Sequence, residues 1–125
     1  MRWTQRLWTT LAAINGFIAV AAGAFAAHGV ADPTAKELLR TGSTYELAHA
    51  LAVLACAGLA AAGMPRARFA PAWFLAGSVL FSGSLYALAL GAPRMVGIVT
   101  PFGGLAFLAG WAVLAWAAAT SRRSD

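Results

Sequence analysis

The hydrophobic positions of this chain do not alternate with polar ones; they fill four long blocks separated by short, turn-rich breaks. The first block runs from about Leu7 to Ala27 and ends before His28-Gly29. The second runs from about Tyr45 to Ala62 and stops at GMPRAR, where Gly63 stands just past a helix end and Pro65 cannot continue one. The third starts at Pro71, a residue suited to a first helical turn, and ends at Gly91 with Pro93 beyond. The fourth opens with Thr100 as N-cap and Pro101 at the first helical position, and runs to about Thr120. Each block approaches or exceeds the roughly 20 apolar residues that cross a bilayer as a helix. The pattern predicts an all-α integral membrane bundle, one domain over 1–125, with transmembrane helices at about 7–27, 45–62, 71–91 and 100–120.

The longest break, VADPTAKELLRTGS, predicts a short extra helix of about 33–41 in the first outer loop. Asp32 caps it, Pro33 opens it and Gly42 ends it, with Leu38 and Leu39 resting on the bilayer or the bundle. No other break is long enough to hold a domain.

Composition sharpens this picture. The chain is 61% hydrophobic and only 10% charged, against roughly 25% charged residues in a soluble domain. The net charge of +5 does not point to nucleic acid, because the basic residues sit in termini and loops beside apolar blocks, as membrane topology produces. Arg2, Arg6, Arg66, Arg68, Arg122 and Arg123 fall on one side of the membrane; Lys36, Arg40 and Arg94 fall on the other. The richer side is cytoplasmic by the positive-inside rule, so both termini are expected there, and Trp3, Trp8, Trp73 and Trp116 cluster near that face, with Trp111 deeper. Arg2, Arg6 and Ala24-Phe25-Ala26 imitate a secretory signal, but the apolar stretch exceeds the usual 7 to 15 residues of such a core. It is read as a retained helix. Cys56, the single cysteine, lies inside an apolar block and has no internal disulfide partner.

The polar residues inside the blocks are few. Counting 1.5 Å of rise per residue, His28, Tyr45, Glu46, His49, Tyr86 and Thr100 fall in one layer in the outer third of the bundle. Intramembrane ionisable groups are functional candidates by default. Tyr45 and Glu46 stand four and three residues before His49, so the three can share a face. His28, His49 and Glu46 would make a mononuclear metal site of two imidazoles and one carboxylate, a weak signal because no other Asp or Glu lies in the four blocks. The bland reading of Glu46 is a capping box, Ser43 as N-cap and Glu46 returning to its backbone N–H, and it is the favoured one. The bland reading of the histidines is an interhelical hydrogen bond.

Packing signals are plainer. Asn15 and Ser78 match in depth and are expected to touch. Ala12 and Gly16, Ala19 and Gly23, and Ala106 and Gly110 are small pairs at four-residue spacing, with Ser82 and Gly83 adding to helix three. Gly103 and Gly104 bring the head of helix four close to a neighbour, but a lone glycine pair is no phosphate loop. Walker, nucleophile-elbow, HExxH and CxxC motifs are missing. The reading therefore leans away from an enzyme, and no cofactor is predicted.

GAFAAHG (23–29), TGSTYELAHALAVL (41–54), FSGSLYALAL (81–90) and TPFGGLAFLAGWA (100–112) together resemble the domain-of-unknown-function 423 family, YgdD-like bacterial inner-membrane proteins similar to a small animal transmembrane protein. The resemblance covers almost the whole chain. It implies a four-helix inner-membrane protein whose molecular activity is unassigned. Where Ala26 stands the family usually has Gly, and where Glu46 stands it usually has Gln, which still serves a capping box but is a poor substitute for an anionic metal ligand.

Three classes of function remain open. The first is a structural or accessory module packing with other membrane proteins, in a larger complex or a homo-oligomer. The second is a carrier or channel for a small solute, proton or lipid using the outer polar layer. The third is a histidine-based metal or haem protein. They rank in that order.

Overall fold

A computed structural model describes residues 2–122, with side chains from Gln5 onward. Expectations for the side chains of Arg2 and Trp3, and for Arg123, lie outside the described residues. Helices are the only regular structure of the described residues: α1 (Arg2–His28), α2 (Pro33–Ala61), α3 (Pro71–Gly77), α4 (Gly83–Ala89) and α5 (Thr100–Ala119). A five-residue π turn, Ser78–Ser82, joins α3 to α4 without a break, and 3₁₀ turns at Pro65–Phe69 and Arg94–Ile98 lead into α3 and α5. Four stretches, Gln5–His28, Pro33–Ala61, Pro65–Ala89 and Arg94–Ala119, are long and apolar enough to cross a membrane.

Two of the expected helix ends form as the local chemistry dictates. Gly63 and Gly91 take positive φ values of 110° and 101°, a region costly for any residue with a Cβ. Past Gly63 the Met64 N–H reaches back to the Leu59 carbonyl, and past Gly91 the Ala92 N–H reaches that of Ala87. Both are the six-to-one closure of a Schellman motif, with Pro65 and Pro93 blocking further helix. Asp32 also caps as expected, its carboxylate accepting from the Ala35 N–H at 2.9 Å.

The break expected at Gly42-Ser43 does not form. The short outer helix and the second transmembrane helix are one, α2, 29 residues long. At 1.5 Å per residue that is about 44 Å, the thickness of a bilayer with its headgroups. Lys36, Glu37 and Arg40 therefore ride on an extension of the second long apolar helix, at the end of the bundle away from the chain's first residues. Ser43 is no cap; its hydroxyl donates to the Ala19 carbonyl of α1 at 2.7 Å. Thr100 is no cap either, because the 3₁₀ turn before it already carries the backbone into α5.

α2 is the central element and packs on two faces. Toward α1 it presents Ser43, Ala50 and Ala57, seven residues apart. α1 answers with Ala12, Ala19 and Ala26, also seven apart and all fully buried. A seven-residue repeat keeps one narrow seam facing its partner. Gln5 Nε2 closes the far end on the Ala57 carbonyl at 3.2 Å. Toward the third and fourth crossings α2 presents Leu39, Gly42, Glu46, His49, Val53 and Cys56, every one buried. Val53 and Cys56 meet Phe74, Ala67, Ala70 and Ala117 in the apolar core. α1 packs extensively on α2 alone, so the expected Asn15–Ser78 contact is absent: Asn15 Nδ2 donates to Leu11 O within its own helix, and the Ser78 hydroxyl is buried without a partner.

The glycines divide sharply. A Cβ on Gly103 would meet the backbone nitrogen of Phe81 at 2.3 Å, and one on Gly110 would meet the Phe74 ring at 2.5 Å. On Gly23 it would meet the Ser43 hydroxyl at 2.9 Å. These three hold close helix contacts. Gly16 and Gly83 have open space where a Cβ would go, and Gly104 only ordinary contact with Phe81, so the packing role expected of them is not found. A Cβ on Gly42, which the sequence reading took for a helix end, would strike the ring of Tyr86, and one on Gly77, which it did not name, the ring of Phe107.

Candidate functional site

The inward stripe of α2 carries two polar side chains, Glu46 and His49, among apolar neighbours. Each is tied to a different helix. The Tyr86 hydroxyl of α4 donates to Glu46 Oε1 at 2.7 Å. The Trp111 indole N–H of α5 donates to His49 Nε2 at 3.0 Å. Glu46 and His49 are only 5% and 6% exposed, so both acceptors are buried, whereas the donor Tyr86 is partly exposed and Trp111 lies at the surface of the bundle.

Tyr86 owes its position to two features. The absence of a side chain on Gly42 lets its ring lie against α2, and the Ser82 hydroxyl donates to the Gly42 carbonyl at 2.7 Å, pinning the same level of the interface. Phe74, Ser78, Ser82 and Tyr86 follow one another at four-residue spacing. On a regular helix that spacing drifts about 40° per step, which would swing Tyr86 off the face that Phe74 occupies. The wider π turn over Ser78–Ser82 takes up the drift. Gly103 then admits the α5 backbone against the turn at Phe81.

His49 is held on every side. Its Nδ1 is 2.7 Å from the Tyr45 carbonyl one turn back. A carbonyl can only accept and an indole N–H can only donate, so the partners select the neutral tautomer with hydrogen on Nδ1. The ring stacks on Phe107, with centroids 3.6 Å apart and planes 10° from parallel. Phe74 tilts against it at 5.4 Å and Trp111 meets it edge-on at 5.8 Å. Both ring nitrogens are occupied, so a ligand to either would have to displace an existing bond.

The single polar layer expected from helix depth resolves into separate pairs. Glu46 is not the arm of a capping box; it is an interhelical acceptor. Thr100 shares a hydroxyl–hydroxyl bond with Ser84. Tyr45 contributes its carbonyl to His49 while its ring, half exposed, lies on Phe81 at 4.8 Å. His28 is exposed at the end of α1 and joins none of these pairs. The set His28, His49 and Glu46 does not assemble, and among the described residues no group of three or more His, Cys, Asp or Glu comes together.

Trp111 and Ser84 are partners that the sequence reading did not place in the site, and Ser82, read there as helix packing, was not tied to Gly42. A signal for Trp111 existed: an indole N–H placed deep in a bilayer needs an acceptor, and His49 is the ionisable residue at comparable depth. For Ser82 the signal was its place in the four-residue series that leads to Tyr86.

Comparison with known proteins gives a consistent picture. A family model described as "Protein of unknown function (DUF423)" matches residues 22–104. A UPF0382 membrane protein of Haemophilus influenzae is 43% identical over 118 residues, covering 92% of this chain and 95% of its own length. The UPF0382 inner membrane protein YgdD of Escherichia coli K12 is 48% identical over 118 residues, 89% of this chain and 88% of its own. A UPF0382 membrane protein of Staphylococcus epidermidis is 36% identical over 113 residues, 88% of this chain and 93% of its own. No solved structure matches the chain.

Proposed function

The chain belongs to the DUF423 family of small membrane proteins, and from that premise we propose that it is a structural or accessory module of the bacterial inner membrane, multi-pass, with both termini cytoplasmic, that packs beside a larger membrane protein or a second copy of itself. The observation that carries this reading is the closure of the polar layer. Glu46 and His49, the carboxylate and the imidazole buried among the described residues, spend their contacts on Tyr86 and Trp111 of the same chain. Such bonds contribute roughly 0.6 to 2 kcal/mol each in a membrane, and they fix helix positions without leaving an open polar path.

The surface supports the same reading. α1 packs extensively on one neighbour only, and its outward side bears Ile14, Phe17 and Val20, with Phe17 78% exposed. Lipid satisfies such a face, and so does a partner helix. A relative's name, inner membrane protein, supports that membrane, and the excess of arginine at the end of the bundle that carries the termini supports the orientation. Purification from native membranes in mild detergent, followed by mass spectrometry of everything at fixed stoichiometry, tests the proposal. A constant companion protein or a defined homo-oligomer is the expected result; a lone monomer overturns it.

A carrier reading comes second and draws on one observation. The Ser78 hydroxyl is buried without a partner, one turn inward from Ser82, in the layer of Glu46. A carrier working through this layer loses flux in liposomes when His49 and His28 become alanine; unchanged flux rules that version out. The metal or haem reading ranks below both, because His49 has neither nitrogen free; elemental analysis and an optical spectrum of protein purified without chelators test it directly.

A further inference from the structure

At the end of the bundle where α2 and α5 finish, a cleft of about 330 Å³ opens between the loop after α2 and the tail after α5. Its walls are Gly63, Pro65, Arg66, Ala117, Thr120 and Arg122, with Ser121 beside them. That volume is at the small end of sites that hold small molecules. We propose that this cleft is a phosphate-binding site, filled by the phosphodiester of an anionic phospholipid or by free phosphate, with Arg66 and Arg122 as the two arms that hold it.

Charge comes first. Of the four acidic residues, Asp32 and Glu37 stand in the first turns of α2 at the opposite end of the bundle, and Glu46 is bonded to Tyr86. Asp125 lies outside the described residues. The cleft is therefore lined by two arginines, Arg66 and Arg122, with no carboxylate among its described walls. Two helix C-termini point at it and offset part of that charge, each end carrying about half a negative charge. Two full positive charges against two half charges leave a net attraction for an anion.

Geometry comes second. Arg66 lies over the Trp116 ring with its guanidinium carbon 5.1 Å from the centroid. That is a cation–π distance, and the guanidinium carries its N–H groups in a fork that fits an oxyanion. The Thr120 and Ser121 hydroxyls donate instead to the carbonyls of Trp116 and Ala118. They close the helix end and leave recognition to the arginines.

Depth comes third. The cleft sits where two membrane-spanning stretches end, at Ala61 and Ala119, and so at the level of lipid headgroups. Its walls mix apolar and polar surface, as a headgroup with the start of its acyl chains requires. Basic pockets at such a position are where anionic headgroups bind.

The test uses the full chain in a mild neutral detergent, titrated with dioctanoyl phosphatidylglycerol, with dioctanoylglycerol carrying the same chains but no phosphate, and with inorganic phosphate. The readouts are intrinsic tryptophan fluorescence and thermal stability. Saturable binding of the phospholipid, with the phosphate-free lipid inert, is the expected result; protection by inorganic phosphate alone assigns the same site to a soluble ligand instead. The paired change Arg66→Ala with Arg122→Ala is expected to weaken binding about tenfold or more, as loss of charge-assisted bonds does. Arg66→Lys with Arg122→Lys, which keeps the charge and loses the fork, is expected to fall between, and guards against an alanine pair that fails to fold. Arg6→Ala with Arg68→Ala removes equal charge from the same end outside the cleft and is expected to leave affinity within a factor of about two. Equal losses in the two alanine pairs, or equal binding of dioctanoylglycerol, overturns the proposal.

Discussion

The hydroxyl of Tyr86 lies 2.7 Å from Oε1 of Glu46 and joins α4 to α2 inside the protein. Neither residue is a helix cap; Glu46 is buried and Tyr86 partly so. Gly42 makes the contact possible by leaving room for the Tyr86 ring, and the π turn makes it possible by keeping Tyr86 on the face that also carries Ser82.

Substitutions at Glu46 should therefore separate by hydrogen-bonding capacity rather than by charge. Glu46→Gln keeps an oxygen acceptor for Tyr86 and is expected to change stability by less than about 1 kcal/mol, whereas Glu46→Leu leaves a buried hydroxyl unpaired and costs about 1–3 kcal/mol. Reversible unfolding in bicelles or detergent micelles gives both values. Equal effects of Gln and Leu would count against the bond.

Glycine replacements should sort by what the new methyl group meets. Gly103→Ala drives a Cβ into the Phe81 backbone, which cannot rotate away, and is expected to cost about 1–3 kcal/mol or to spread α5 from the π turn. Gly42→Ala strikes the Tyr86 ring and should also weaken the Glu46 contact. Gly83→Ala meets open space within a helix and is expected to stabilise by about 0.5–1 kcal/mol. Thermal unfolding of the three variants side by side checks the order.

The partners of His49 predict one tautomer. Nitrogen-15 spectra of the protein in bilayers are expected to give a protonated, pyrrole-like Nδ1 and a bare, pyridine-like Nε2. Trp111→Phe keeps an aromatic ring but removes the donor, and the Nε2 resonance should move while Nδ1 holds its place. A mixture of tautomers in the unaltered protein would contradict the assigned bonds.

The proposed orientation has its own check. A cysteine at Lys36, on the outer extension of α2, should react with a membrane-impermeant thiol reagent added to cells with a permeable outer membrane. A cysteine at Ser121 should react only after the inner membrane is opened. Cys56 is fully buried and provides a silent background. Reversed labelling would invert the topology.

How much of this was legible depends on the scale of the force that decides each feature. The four crossings were plain because the bilayer demands long apolar helices, and few alternatives satisfy the backbone there. The ends at Gly63 and Gly91 were plain because a positive φ is a local property of the chain. The break expected at Gly42-Ser43 failed because local capping grammar was outweighed by tertiary contacts: Gly42 is small for Tyr86, and Ser43 is polar for the Ala19 carbonyl. The π turn has no local signature, and its trace is the four-residue series Phe74, Ser78, Ser82, Tyr86. Glu46 and His49 were recognised as unusual, but their pairing was not. The signal that places them inward is the alternating three- and four-residue spacing of Leu39, Gly42, Glu46, His49, Val53 and Cys56 along a single uninterrupted helix.

The claim that the polar layer locks the bundle is tested most directly by a double-mutant cycle on Tyr86→Phe and Glu46→Leu in a lipid environment. A pair that bonds only to itself should lose less when both members change than the sum of the single losses, with a coupling of about 0.6 to 2 kcal/mol. Additive losses would mean that each residue has another partner, and the closed, structural reading of the site would fall.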